Sequence, residues 1–368
     1  MARMPRAAHD GSMATYHNAT SDGFPFTRHM ERCTIVLPEY RVLFVPVPKS
    51  AWTSVLRLLL RPAGLTSESF RAAEKPEVTL ATAIHATYVW RRAGLSLDSL
   101  PDDVRHRAFT EDGWFRFSVV RDPATRLWSA WQSKLLLREP WFTDAFSGQP
   151  WFPRVPQNPD DVVEDFRVFV AAVREHAWQA DVRDKHWAPQ HLLLDRIPLT
   201  HVGHVERLGE TRDALRAHLG DHAELIGSLA QDNQTPLPYS PALYDASTAA
   251  AVGELFSRDF AQFGYAPVEA STDATALATW ERDVVGALPA LHEIIARHDR
   301  IGAYYRRVRK VRVRSQAQAR RVQQLEHTLA ERTRQRNQLR SQLDQRDRSW
   351  SWRLTKPLRV VGRLGRRN

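Results

Sequence analysis

The sequence predicts an α/β fold, a central parallel sheet flanked by helices, followed by a long C-terminal helix that is at most a weak coiled coil. Three observations carry this. Residues 41–61, RVLFVPVPKSAWTSVLRLLLR, pass from an apolar, β-branched run straight into a helical pattern. Residues 114–120, WFRFSVV, do the same, running through Arg121-Asp122-Pro123 into a second helical pattern. Beyond residue 304, apolar residues recur at three- and four-residue steps in a strongly basic background. Two strand-to-helix turns in one domain point to parallel strands with a ligand at their carboxyl ends.

Taken in order, residues 1–30 lack an apolar h-region and read as a flexible arm rather than a signal peptide. The first strand covers 42–47, interrupted only by Pro46. Pro48-Lys49-Ser50 then leads into a helix from Trp52 to Leu60 that stops near Pro62 and Gly64. A lysine and several hydroxyls at a helix N-terminus make an anion site, because unpaired N–H groups and the positive end of the helix dipole face the ligand. It is not a Walker A loop, since Ala51 and Trp52 stand where Gly and Lys would be required.

Residues 65–113 are mixed and contain His85 within ATAIHATY. After the second strand, Asp122 is the expected N-cap and Pro123 suits the first turn of a helix running to about residue 137. Leu127, Ala130, Trp131 and Leu135 form its buried stripe. Residues 138–160, rich in Pro and Trp, read as a loop or lid. A helix at about 162–173 precedes Asp184-Lys185-His186-Trp187-Ala188-Pro189-Gln190. A third strand at 201–205 leads through Glu206 into a helix ending at Leu219, and a last helix at about 247–260 closes on Phe263-Gly264-Tyr265. The expected organisation is an arm (1–30), a compact domain (31–268), a helical extension (269–303), a basic helix (304–349) and a basic amphipathic tail (350–368).

Charge is divided unequally. Residues 301–368 carry 20 Lys/Arg against 4 Asp/Glu. The chain totals of 52 and 42 therefore leave 32 against 38 for residues 1–300. The basic pI belongs to the tail, so a nucleic-acid-binding role would rest on that tail alone, without sequence readout. One cysteine, Cys33, excludes an intrachain disulfide and a thiolate zinc cluster, and fits a reducing, cytoplasmic setting. No run approaches a membrane span. In the tail, Trp350, Leu354, Leu358, Val361 and Leu364 among Arg353, Lys356, Arg359, Arg363 and Arg366 suggest peripheral docking on the anionic inner face of a membrane, although Pro357 interrupts the helix. The seam Val308, Val311, Val322, Leu325, Leu329, Leu339 and Leu343, broken by Ser315, Gln318, Arg332 and Arg336, makes the helix a candidate homodimer contact.

The second turn, VVRDPATRLWSAW (119–131), resembles the 3′-phosphate motif of carbohydrate sulfotransferases of the chondroitin/dermatan type and their bacterial relatives. The first turn is similar to that family's 5′-phosphosulfate motif, with Lys49, Ala51, Thr53 and Ser54 at the matching positions. HWAPQ (186–190), VGHVE (202–206) and the Asp259-Phe260…Phe263-Gly264-Tyr265 closing helix follow in the family's order, so the resemblance spans roughly residues 40–266. It implies a P-loop-like sulfotransferase fold, the donor 3′-phosphoadenosine 5′-phosphosulfate, no metal, and a carbohydrate or glycolipid acceptor. On that reading Lys49, Ser50, Ala51, Trp52, Thr53 and Ser54 take the 5′ end and Arg121 with Ser129 takes the 3′-phosphate. Lys49 sits on the leaving oxygen. His85 is the first candidate for the base, His186 the second and Glu206 the third. Two rivals stand beside it: a P-loop-like nucleotide-dependent kinase, for which neither turn supplies a clear Mg²⁺-holding pair, and the tail-borne nucleic-acid binder.

Overall fold

A computed structural model describes residues 28–73, 80–176, 184–195, 197–229 and 235–355. The sequence-based reading of residues 1–27, and of the tail from Lys356 onward, lies outside them.

Helix α1 (Arg28–Cys33) leads into β1 (Ile35–Leu37), which the periodicity did not reveal because it is only three residues long. A 3₁₀ turn at Pro38–Tyr40, closed by Arg41 at φ 50°, reverses the chain into β2 (Val42–Phe44). β2 feeds α2 (Trp52–Leu60). Three short helices, α3 (Leu80–Ala83), α4 (Thr87–Arg92) and α5 (Asp102–Thr110), precede β3 (Phe115–Val120), which runs into α6 (Pro123–Trp131). The chain continues through a π-helical segment (Gln132–Leu136) to α7 (Pro140–Phe146), α8 (Pro159–His176) and α9 (His191–Leu194). β4 (His201–His204) is followed by α10 (Leu208–Leu219), α11 (Ala246–Leu255), α12 (Ser257–Phe263), α13 (Ala274–Arg348) and α14 (Trp350–Leu354).

The sheet order is β1-β2-β3-β4. β2, β3 and β4 are mutually parallel, in register Val42↔Phe115 and Phe117↔His201, and β1 adds an antiparallel edge. The fold is therefore α/β with a mostly parallel sheet. β2 is buried on both faces, as parallel strands are. Val42 and Phe44 enter a cluster with Val55, Leu59 and Leu215, whereas Leu43 and Val45 enter another with Met30, Trp114 and Leu193. A third cluster gathers Trp128, Trp131, Phe166, Trp187, Tyr244, Trp280 and Leu291 beside the sheet.

Three expectations are corrected. Strand β2 ends at Phe44 rather than residue 47: Val45 still donates to the Phe117 carbonyl at 2.9 Å, but Pro46 has no N–H to carry the ladder further. Residues 138–160 are not an open lid, because Pro140 starts α7 instead of breaking the chain, and Phe142, Phe146 and Trp151 are buried in the third cluster. The helix expected at 247–260 is two helices, parted at Phe256.

The described residues up to Gly302 form one compact unit and those from Ala303 a second. Within the first, the opening stretch of α13 buries Trp280, Val284, Leu291 and Ile295, and Trp280 Nε1 donates to the Pro238 carbonyl at 3.0 Å. In the second unit the seam residues of α13 are exposed, as are Trp350 and Leu354. Among the described residues no helix is long and apolar enough to cross a membrane.

Candidate active site

The carboxyl ends of β2 and β3 carry the two turns side by side. In the first, Lys49 and Ala51 both adopt left-handed backbone, at φ 69° and 51°. Ser50 lies between them with its N–H on the Val47 carbonyl at 3.2 Å. Alternating φ signs fold the chain tightly enough to bring it into α2 without a glycine. Each non-glycine residue held there costs about 1–2 kcal/mol. Ala51, at the N-cap of α2, offers no side-chain cap to the helix. Arg126, fully buried, braces this path from α6: Nε donates to the Pro48 carbonyl at 2.9 Å, Nη1 to Ala188 at 2.7 Å and Nη2 to Lys185 at 3.1 Å.

In the second turn Asp122 caps α6 as expected, accepting from the Thr125 N–H at 2.8 Å. Arg121 is the residue at the strand end, and its Nη1 reaches the Lys49 carbonyl at 3.5 Å. One amide fastens both turns. Gln190 Oε1 accepts from the Arg121 N–H at 3.0 Å and from Ser50 Oγ at 3.2 Å, while its Nε2 donates to the Arg121 carbonyl at 2.8 Å. Gln190 is in turn held by Asp259, which accepts from the backbone N–H groups of Gln190 at 2.6 Å and His191 at 2.9 Å. Glu206 is engaged by the Asp122 N–H at 3.2 Å and the Tyr265 hydroxyl at 2.8 Å, a bracing position behind Arg121. Ser129 is buried two turns along α6.

Further residues converge that the sequence did not single out. The π-helical segment turns Ser133 toward the first loop, where Lys49 Nζ donates to Ser133 Oγ at 2.9 Å. Single π turns inside α-helices are a frequent mark of functional sites. Beside it, Lys134 pairs with Glu139 and lies over the Phe142 ring at 5.3 Å. Of the two histidines, His85 Nε2 is 2.8 Å from Thr53 Oγ1 and stands edge-on to Trp52 at 4.6 Å. His186 Nδ1 is 2.5 Å from Asp184 Oδ1, which also accepts the His186 N–H at 2.8 Å.

The electrostatics are those of a buried, cation-rich pocket. Burial, then the charges of Lys134 and Arg121, lower Lys49 to about 7, with Glu139 opposing. Burial, then Lys134 and Lys49, bring His85 down to about 4. Burial also lowers His186 to about 4, despite the Asp184 carboxylate. Arg121 and Lys185 are lowered by burial too, against nearby carboxylates. Glu139 is the counter-case: burial raises it, yet Lys134 and its neighbours hold it net below the ordinary carboxylate value. Both imidazoles are thus neutral at pH 7 and able to accept a proton, and an anion entering the pocket would relieve the crowding of charge around Lys49.

Two cation-bearing turns at the carboxyl ends of adjacent parallel strands, locked by one buried amide, define a P-loop-like domain. The comparison with known families supplies the particular chemistry: residues 32–266 match the model of the sulfotransferase family. The chain belongs to that family and is a sulfotransferase. No curated protein and no solved structure matches it.

Proposed function

We propose that the chain transfers a sulfuryl group from 3′-phosphoadenosine 5′-phosphosulfate to a hydroxyl of a carbohydrate, in a surface glycan or glycolipid. The observation that carries this reading is the Gln190 bridge between Ser50 and Arg121, which fixes two cationic turns as one unit. A donor with phosphates at both ends needs two such sites. Lys49, with the first-turn amides and hydroxyls of Thr53 and Ser54, takes the 5′-phosphosulfate, and Arg121 with Ser129 takes the 3′-phosphate.

In the reaction the acceptor oxygen bonds to sulfur, the bond from sulfur to the 5′-phosphate oxygen breaks, and the acceptor proton passes to a base. Lys49 neutralises the charge that gathers on the departing oxygen. His85, neutral and in contact with Thr53 at the first turn, is the base. His186 is the alternative, since Asp184 engages Nδ1 and leaves Nε2 to accept.

Binding of 3′-phosphoadenosine 5′-phosphate by calorimetry and turnover with radiolabelled donor on a panel of sugars test the reading. Lys49→Ala should lower turnover roughly 10²- to 10³-fold. Arg121→Ala should weaken bisphosphate binding by about 1.5–3 kcal/mol. Bisphosphate binding that survives both changes unweakened overturns the site. His85→Ala should cost turnover about 10²- to 10⁴-fold with bisphosphate binding intact. If His186→Ala does so instead, the base is His186. Activity with ATP and Mg²⁺, and none with the sulfate donor, would make the chain a kinase.

The basic tail supports a place for this reaction at the cytoplasmic face of an anionic membrane. Removing residues 350–368 should then abolish salt-sensitive binding to phosphatidylserine vesicles and leave bisphosphate binding unchanged.

A further inference from the structure

Beyond Ala303, α13 presents an exposed apolar face. Among the described residues, eleven of the fifteen exposed large hydrophobic side chains lie between Tyr304 and Leu354. Tyr304, Val308, Val311, Val322, Leu325, Leu329, Leu339 and Leu343 form one seam, whose remaining positions are Ser315, Gln318, Arg332 and Arg336. Four polar positions in twelve make the seam selective about what can cover it.

A second copy of the chain could lie on this seam in two directions. Parallel and in register, Arg332 would face Arg332 and Arg336 would face Arg336, two adjacent layers of buried like charge. The flanking Arg307 would also meet Arg312. Like charges brought together without water disfavour association strongly.

Antiparallel alignment about a point between Val322 and Leu325 removes every one of these conflicts. Leu343 then faces Tyr304, Leu339 faces Val308 and Leu325 faces Val322, each pair occurring twice. Arg336 falls opposite Val311, and Arg332 opposite Ser315. At the flanks Arg314 meets Gln335 and Arg321 meets Thr328. The seam is close to palindromic, apolar at both ends and at its centre. Self-complementarity of that kind is what a two-fold interface between identical chains requires. We infer that residues 304–343 pair with a second copy of the chain as an antiparallel coiled coil centred between Val322 and Leu325.

The test uses the full chain. Light scattering after size exclusion should give a dimer at micromolar concentration. Leu325→Asp should raise its dissociation constant by about a hundredfold or more, since the lost contact occurs twice, while bisphosphate binding stays unchanged. Direction is read by cross-linking, for which the one native cysteine, Cys33, is buried and does not interfere. Val308→Cys chains mixed with Leu339→Cys chains should join by a disulfide, and Leu343→Cys chains alone should not. A chain that stays monomeric overturns the inference. So does a dimer that Leu325→Asp leaves intact, or self-linking of Leu343→Cys chains, which means parallel pairing.

Discussion

At pH 7 the Lys49 ammonium is only about half protonated in the free protein, because burial and the nearby Lys134 and Arg121 charges bring its pKa to about 7. A bound anion favours the charged form, so binding draws in a proton. Bisphosphate affinity should therefore be highest below pH 7 and fall as pH rises through 7 to 9, by up to about tenfold per unit. Calorimetry in buffers of different ionisation enthalpy measures the proton directly, and a flat affinity from pH 6 to 9 would refute the charge assignment. Ala51 makes a separate prediction. Its φ of 51° suits glycine, so Ala51→Gly should leave stability unchanged or raise it by up to about 1 kcal/mol. Ala51→Val should lower it by more than about 1 kcal/mol in urea titration, because a β-branched side chain fits that conformation worst. Ala51, where a Walker A loop would carry glycine, thus holds left-handed backbone at a cost in strain.

Elements joined by local sequence were legible, and those joined across the chain were not. Strand, cation and helix lie within a few residues at each turn, so both turns were readable from period and capping alone. Gln190 bonds Ser50 across 140 positions and Arg121 across 69, and nothing in the local pattern of HWAPQ says which groups its amide will meet. The π-helical segment was hidden for a similar reason: Gln132 clamps Leu237 through both its amide N–H and its carbonyl, at 2.7 and 3.0 Å, a partner 105 residues away. Gln190→Leu should weaken bisphosphate binding and cost about 1–3 kcal/mol for each backbone group of Arg121 left buried without a partner. Unchanged binding and melting would remove Gln190 from the site's architecture. Where β4 meets α10, a Cβ on Gly203 would lie 1.9 Å from Thr211 Oγ1. Gly203→Ala should destabilise the fold by about 1–3 kcal/mol, read by thermal melting, and Thr211→Ala in the same chain should recover part of it.

For the whole molecule, the buried neutral histidines set the response to acid. His85 and His186 have folded values of about 4 against 6.5 in an unfolded chain, so between those limits the unfolded state binds more protons. Stability is accordingly full above about pH 6.5 and lost as pH falls toward 4. The melting temperature should drop over that interval, and His85→Gln should flatten part of the drop. The chain's charge supplies a last consequence. Its basic residues are overwhelmingly arginine, and lysine occurs only six times. An amine that is half deprotonated at neutral pH is a nucleophile, whereas an ordinary lysine ammonium is not. Lys49 should therefore be acylated at pH 7 by amine-selective reagents, and a bound bisphosphate should protect it. Mass-spectrometric mapping of the modified lysine would then report occupancy of the site with no acceptor in hand.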